Sequence, residues 1–424
     1  MQTINASQWT GEVAVIGLGY IGLPTSAALA MHGVRVKGMD VNPDTVAAVT
    51  AGLVPIVEPD LDVAVAGAVA RGLLSAAAEV PEADAFMIAV PTPFKGDHVP
   101  DLTYVEAATK SVAPKLRGGE VVILESTSPP GTTLRISQWL AEARPDLKFP
   151  HEHPDNPDVH VAHCPERVLP GRIMVELVEN DRVVGGLTSS CAERAAEVYR
   201  VFCKGDIVLT DAASAEMAKL VENSFRDVNI AFANELAQIC DHLGLDVWEI
   251  ISLANHHPRV NVLKPGPGVG GHCIAVDPWF IVAAAPKQAR LIRRARETND
   301  SRPGEVVTNI RSMAAGNDRP IALLGLAFKA DIDDLRESPA VEIAIKLAGA
   351  EPDRRLLVVE PHVDFLPRQL ADLPNVELTA LGTALAESDV VALLVDHRRF
   401  RELPVQALSG KSTLDTRGAW RERS

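Results

Sequence analysis

Four apolar residues, Val13-Ala14-Val15-Ile16, run straight into Gly17-Leu18-Gly19-Tyr20-Ile21-Gly22 and then into helix-forming sequence. That order constrains the chain more than any other feature, because it specifies the first βα turn of a doubly wound sheet. The first glycine makes the bend, the second lets backbone N–H groups approach a pyrophosphate, and the third allows close helix–strand packing. The helix N-terminus favours the negative charge. Val34 to Met39 reads as the second strand, and Asp40 follows at its end. A carboxylate there accepts from ribose hydroxyls and repels a 2′-phosphate, so NAD is expected rather than NADP. Gly17, Gly19, Tyr20, Ile21, Gly22 and Asp40 are the expected cofactor-binding residues.

Further strands are expected at Ala85 to Val90, Val121 to Leu124 and Val159 to Ala162, alternating with helical patterns. Two of them end in Pro91-Thr92-Pro93 and Glu125-Ser126-Thr127-Ser128-Pro129-Pro130-Gly131. Ligands of open α/β sheets sit beyond the carboxyl ends of the strands, which makes Thr92 and Thr127 candidates to line a nicotinamide. From Asp211 to Leu243 there is no Pro or Gly, Asp211 or Ser214 can cap the start, and Gly244 can stop the helix. About 30 helical residues would span roughly 45 Å. Met217, Leu220, Val221, Phe225, Val228, Phe232, Leu236 and Ile239 spread over more than one face. Such a helix is expected to be buried, as a domain connector and the core of a dimer interface. A Pro/Gly-rich loop follows from Asn255 to Gly271, then helix to about Met313. Asp318-Arg319-Pro320 opens a second α/β unit with strands at Ile321 to Leu324, Leu356 to Val359 and Val390 to Val395. The expected fold is α/β: two Rossmann-like, doubly wound parallel-sheet domains joined by a long central helix and a helical dimerisation region. The boundaries fall at 1–210, 211–315 and 316–424.

At 424 residues the chain is too long for one ordinary core, and 47% hydrophobic with 23% charged residues is globular composition. A net charge of −15 without a basic stripe argues against nucleic acid as a partner. Five widely spaced cysteines with no C-x-x-C indicate neither a disulfide framework nor a zinc site, which fits a reducing compartment. Met1 to Gly11 does not read as a signal peptide, and no apolar run reaches the ~18 residues of a membrane span. A cytoplasmic protein with no membrane partner and no metal is expected. His151, His153, His160 and His163 are read as part of an exposed Pro/Asp loop ahead of a strand rather than as ligands.

The densest chemistry lies in Lys264-Pro-Gly-Pro-Gly-Val-Gly-Gly-His272-Cys273-Ile-Ala-Val-Asp277-Pro-Trp279. Cys191, Cys203 and Cys240 read as structural, whereas a cysteine on a glycine-rich loop is poorly placed for packing and reads as a nucleophile. On the long helix Lys219, Asn223 and Arg226 follow at i, i+4 and i+7, a polar stripe on one face of an otherwise apolar helix.

The glycine turn, Cys164-Pro-Glu166-Arg167-Val168-Leu169-Pro170-Gly171, Glu216-Met-Ala-Lys219-Leu-Val-Glu-Asn223-Ser-Phe-Arg226, the Gly-Gly-His-Cys-Ile loop and Phe328-Lys329-Ala-Asp-Ile-Asp-Asp-Leu-Arg336-Glu-Ser-Pro339 occur in this order. Together they resemble the UDP-glucose/GDP-mannose dehydrogenase family over residues 12 to 420. Within it, the cysteine segment is similar to the branch acting on UDP-N-acetyl-D-mannosamine. The glucose and mannose branches usually carry Ser before the cysteine and Lys before the aspartate, where this chain has His272 and Val276.

The resemblance implies a four-electron oxidation of a UDP-sugar at C6 with two NAD used in turn. Lys219 would assist removal of the hydroxyl proton, with a lowered pKa or through a water. Cys273 would add to the aldehyde, and the thiohemiacetal would be oxidised to a thioester that water hydrolyses. Lys219 and Asn223 would stabilise developing oxyanions, and Asp277 and Glu166 would position water. Arg167, Val168, Arg226, His257, Arg259, Gly270, Phe328 and Lys329 would join Lys219 and Asn223 in holding the nucleotide sugar. Arg336 would lie on the cofactor side. In relatives the residue matching Arg259 can reach the neighbouring subunit, so a homodimer is expected. The second α/β unit has Gly325-Leu-Ala-Phe328-Lys329 in place of a glycine fingerprint, which suits the UDP part rather than a second NAD.

Another UDP-N-acetylhexosamine, such as UDP-N-acetylglucosamine, is the alternative substrate. A two-electron β-hydroxyacid dehydrogenase would need neither Cys273 nor residues 320–424, and a non-catalytic NAD-binding module would not keep Lys219, Asn223, Cys273 and Asp277 together.

Overall fold

Val13 and Val15 face one hydrophobic layer and Ala14 and Ile16 the other, so β1 (Val13–Ile16) is buried on both faces, as a central parallel strand must be. The computed structural model describes residues 9–421 except 57, 97, 170 and 272. Pro170 and His272, quoted from the motifs, therefore lie outside the described residues. The chain divides into two units, 1–222 and 223–424.

In the first unit β2 (Val36–Met39), β3 (Leu74–Ala77) and β4 (Ala85–Ile88) follow β1. A short hairpin, β5 (Phe94–Lys95) and β6 (Val99–Pro100), precedes β7 (Val121–Leu124), β8 (His160–His163), β9 (Arg182–Gly186) and β10 (Ile207–Asp211). The eight-stranded sheet runs β10-β9-β8-β7-β4-β1-β2-β3, parallel except between β8 and β9. Successive strands move outward on one side from β1 to β3 and on the other from β4 to β8, so the order reverses between β1 and β4. In open α/β sheets the ligand crevice lies at such a switch point, beyond the carboxyl ends of the two strands. β8 also corrects one reading: His160 and His163 belong to the strand, and His163 is fully buried, its charged form disfavoured by burial with a pKa lowered to about 3. His153 is exposed, and His151 Nδ1 lies 2.7 Å from Ser137 Oγ.

The long helix covers Ala212–Leu243, and the division between the units falls within it. Its start is capped as the sequence suggests, with Asp211 accepting from the Ser214 amide at 2.9 Å and from its hydroxyl at 2.6 Å. Leu220 is buried, but Phe225, Phe232, Ile239 and Leu243 are exposed on this chain, Phe225 at 71%. The expected burial of the whole apolar circumference does not occur within one chain.

The second unit continues with helices Val247–Asn255, Asp277–Ala284 and Arg290–Met313. Its sheet comprises β11 (Ile321–Leu324), β12 (Leu356–Val359), β13 (Val376–Leu378), β14 (Val390–Leu393) and β15 (Ser412–Asp415), all parallel, in the order β13-β12-β11-β14-β15. The end of β11 repeats the end of β1. Gly17 and Gly325 both have φ +96°, and their amides donate at 2.8 Å to Met39 and Val359. Leu18 N–H donates to Asp40 at 2.8 Å, and Leu326 N–H to Glu360 at 2.7 Å. Glu360 is further engaged by the amides of Ala327 and His362 and by His397 Nε2 at 3.0 Å. The Asp331 amide donates to His397 Nδ1, so Nε2 carries the proton. Ser338 caps the following helix, Pro339–Ala350.

Candidate active site

The glycine turn of the first unit meets each steric demand of a dinucleotide site. A Cβ on Gly17 would lie 2.5 Å from the Ala89 carbonyl oxygen, and one on Gly22 would lie 1.9 Å from the Gly17 carbonyl oxygen. A Cβ on Gly19 would meet nothing within 4 Å, which leaves its backbone open to a ligand. The helix Gly22–Met31, preceded by Ile21, has no side-chain cap and no acidic residue in its first turn. That end leaves N–H groups without a side-chain partner, where an anion can be received. Tyr20 is 37% exposed beside it. Asp40 is half-buried, each oxygen accepting one amide, from Leu18 and Asn42, with further lone pairs for ribose hydroxyls. These residues fit NAD.

The neighbouring strand ends are tied together. Thr92 donates its hydroxyl to the Thr127 carbonyl at 2.6 Å, so the two residues singled out beside the crevice hold each other. Glu216, three residues before Lys219, accepts from the Gly131 amide at 2.6 Å and from the amide and hydroxyl of Thr133 at 2.7 and 2.6 Å. Burial raises the Glu216 pKa, opposed by these hydrogen bonds. Lys219 itself is half-buried. Glu58 accepts from the amides of Gly171 and Ile173 at 2.8 and 2.7 Å, which fixes the segment bearing Arg167 and Val168. Arg167 pairs with Glu222 at 2.6 Å, and Val168 lies half-buried against the core. Glu166 is buried, accepting from the Arg167 amide at 2.7 Å and paired with Arg182 at 3.4 Å.

In the second unit Cys273 is exposed, and its carbonyl accepts from the amides of Val276 and Asp277 at 3.1 and 2.9 Å. Those bonds close the turn that starts helix Asp277–Ala284. Asp277 is buried and accepts from Asn223 Nδ2 at 2.5 Å. The loop's glycines are dictated by contact. A Cβ on Gly270 would lie 2.6 Å from the Glu337 carbonyl oxygen and from Pro339 Cδ, and 3.2 Å from Phe328 Cβ. A buried polar network holds both ends of the loop. Asn234 accepts from the Gly266 amide at 2.8 Å and donates to Asn299 at 2.9 Å, while Arg302 donates to the Gly266 carbonyl at 3.0 Å. Arg296, fully buried, donates to the Ile274 carbonyl at 3.4 Å and to Asp227 at 2.5 Å, and also pairs with Asp300.

Within each unit the sequence-predicted residues are thus partly assembled. Gly17, Gly19, Gly22 and Asp40 form one group, and Glu166 adjoins Arg167; in the second unit Asn223, Asp277 and Cys273 are joined by hydrogen bonds, and Gly270 packs separately against Phe328. Arg226, His257, Arg259 and Lys329 are exposed, and Arg336 folds back onto Asp334 at 2.6 Å. Glu58, Arg182, Glu216, Asn234 and Arg296 were not singled out from sequence. Their partners lie far along the chain, 115 residues for Glu58 and 83 for Glu216, so no local pattern marks them. Among the described residues no helix is long and apolar enough to cross a membrane.

Three profiles of the UDP-glucose/GDP-mannose dehydrogenase family match in sequence order: the NAD binding domain over residues 11–203, the central domain over 213–301 and the UDP binding domain over 322–422. An NDP-N-acetyl-D-galactosaminuronic acid dehydrogenase of Ralstonia nicotianae is 55% identical over 409 residues, covering 96% of each chain. A UDP-N-acetyl-D-mannosamine dehydrogenase of Yersinia pestis is 54% identical over 418 residues, covering 96% of this chain and 99% of its own. The solved UDP-D-ManNAc dehydrogenase of Pyrococcus horikoshii superposes with a TM-score of 0.84 at 35% identity, covering 96% of both chains.

Proposed function

Because the chain belongs to the UDP-glucose/GDP-mannose dehydrogenase family, we propose that this NAD-dependent oxidoreductase of nucleotide sugars converts UDP-N-acetyl-D-mannosamine to its C6 carboxylate in two oxidations. The observation that carries the reading is the exposed Cys273, its turn closed by its own carbonyl and followed by the part-buried Asn223–Asp277 hydrogen bond. NAD, bound at the glycine turn, supplies the acceptor for the hydride of each oxidation.

Lys219 takes up the C6 hydroxyl proton, directly or through a water, and with Asn223 stabilises developing oxyanions. The Cys273 thiolate adds to the aldehyde carbon, and oxidation of the resulting thiohemiacetal leaves a thioester. Asp277 and Glu166 position the water that hydrolyses it. Arg167, Val168, Arg226, His257, Arg259, Gly270, Phe328 and Lys329 hold the nucleotide sugar. Residues 1–210 serve the cofactor, 211–315 the chemistry and dimerisation, and 316–424 the UDP part. The exposed apolar stripe of the long helix supports a homodimer.

The Ralstonia relative supports a second reading, in which an N-acetylgalactosamine nucleotide is the substrate. The deciding measurement is NADH released per limiting sugar for UDP-N-acetylmannosamine, UDP-N-acetylgalactosamine, UDP-N-acetylglucosamine and UDP-glucose, with Cys273→Ala alongside. Two NADH from the manno sugar alone is the expected result. One would end the reaction at the aldehyde and remove the role of Cys273, and two from another sugar would replace the substrate. Cys273→Ala should still bind sugar and NAD and form no acid.

A further inference from the structure

Behind Glu166 lies a sealed group of ionisable side chains that the steps above leave unused. Arg182, on β9, is 4% exposed, and both of its terminal nitrogens lie 3.4 Å from Glu166 Oε2. Its guanidinium carbon stands 4.9 Å from the Tyr199 ring centre and 5.2 Å from that of Phe202, so two rings fix its plane. Glu125, immediately after β7, is 1% exposed and accepts from the Tyr199 hydroxyl at 2.9 Å. Its other oxygen has no hydrogen-bond partner of normal geometry among the described residues, although the Thr25 hydroxyl faces it from the helix that follows the glycine turn.

The ionisable groups facing Glu125 are therefore Cys164 and Glu166 from the end of β8, Arg182 from β9 and Tyr199 from the helix Ser189–Tyr199. His163 alternates to the other face of β8. The Arg182 guanidinium is hydrogen-bonded to Glu166 and reaches Glu125 through its charge alone. Burial and the charge of Glu166 push the Glu125 pKa up to about 8, opposed by Arg182 and the Tyr199 hydrogen bond. Burial pushes the Cys164 thiol up to about 12, so it stays neutral. At neutral pH Glu125 therefore carries a proton, and the carboxyl in contact with Arg182 is that of Glu166.

We propose that Arg182 and Glu125 are positioning residues that set the orientation of Glu166, so that thioester hydrolysis answers to the protonation of a carboxyl that never meets the substrate. The proposal rests on the water-positioning role given to Glu166. When Glu125 ionises, a second negative charge draws on the same guanidinium, and the hold of Arg182 on Glu166 loosens.

The test uses the full-length enzyme from pH 6 to 10, reading kcat after the first burst of NADH and KM for the UDP-sugar. Wild type should show a rise in kcat with a midpoint near 8. Glu125→Gln, an isosteric change that keeps an acceptor for Tyr199, should lose that rise with KM unchanged within about twofold. Tyr199→Phe removes a hydrogen bond that holds the Glu125 pKa down, so the midpoint should move upward. It also decides the matter if Glu125→Gln fails to fold. A wild-type midpoint in every folded variant overturns the proposal. Glu166→Gln separates the two levels: wild-type hydrolysis in that variant overturns both readings, whereas slow hydrolysis there with an unmoved midpoint in the others overturns this one alone.

Discussion

Gly19 and Gly22 are three residues apart, and their surroundings predict opposite outcomes for the same substitution. A methyl on Gly22 would be driven into the Gly17 carbonyl, whereas one on Gly19 would enter open space. Gly22→Ala should therefore cost about 1–3 kcal/mol of stability, as overpacking does. Gly19→Ala should unfold within about 0.5 kcal/mol of wild type, yet raise the KM for NAD roughly tenfold or more, because its methyl occupies space the pyrophosphate needs. Denaturation midpoints and steady-state kinetics on the two variants check both halves; equal loss of stability would remove the distinction. These glycines were legible in the sequence because their roles depend on neighbours within a few residues. Glu166 was legible as a motif residue, but its partner Arg182 was not, since only the pairing of β8 with β9 brings the two together.

At the scale of elements, four strands with unbroken apolar runs were read at their true bounds, Val13–Ile16, Val121–Leu124, Ile321–Leu324 and Leu356–Val359, whereas the runs from Ala85 and Val390 leave the sheet two residues before the apolar sequence ends, at Ile88 and Leu393. β3 and β10 escaped notice because edge strands need not be apolar: Leu74-Ser-Ala-Ala carries no periodicity, and β10 is half solvated. The cysteine loop shows the same division. Its glycines announced a special backbone, but the reason for Gly270 lies in Phe328, Glu337 and Pro339. The polar network beneath the loop is equally non-local. Asn234→Ala removes the acceptor of the Gly266 amide and the donor to Asn299. The expected cost is about 1–3 kcal/mol of stability for the stranded partners. A fall in kcat of about tenfold should accompany it as Cys273 loses its fixed position. Urea denaturation and kinetics at saturating NAD measure both, and an unchanged kcat would show that the loop holds its place without this anchor.

For the whole molecule, the long helix was predicted to within a residue at either end, yet its surroundings were not. Phe225, Phe232, Ile239 and Leu243 recur at spacings of seven, seven and four, a stripe that a lone chain leaves wet. Phe225→Asp combined with Phe232→Asp should convert a dimer to a monomer of half the mass by light scattering; a wild-type particle already at 45.4 kDa would end the dimer reading. The other feature of this scale was invisible in sequence: the two sheets share a glycine bend and a carboxylate held by the next amide, without a shared motif around them. In the first sheet that carboxylate still faces outward with capacity left over. In the second, Glu360 is occupied by two amides of the glycine bend, by the His362 amide of its own turn and by His397, and the following helix carries its own cap. The duplicate has become a latch where its counterpart is a socket. Under the proposed assignment, cofactor and sugar nucleotide, though both carry a diphosphate and a ribose, do not contend for one berth.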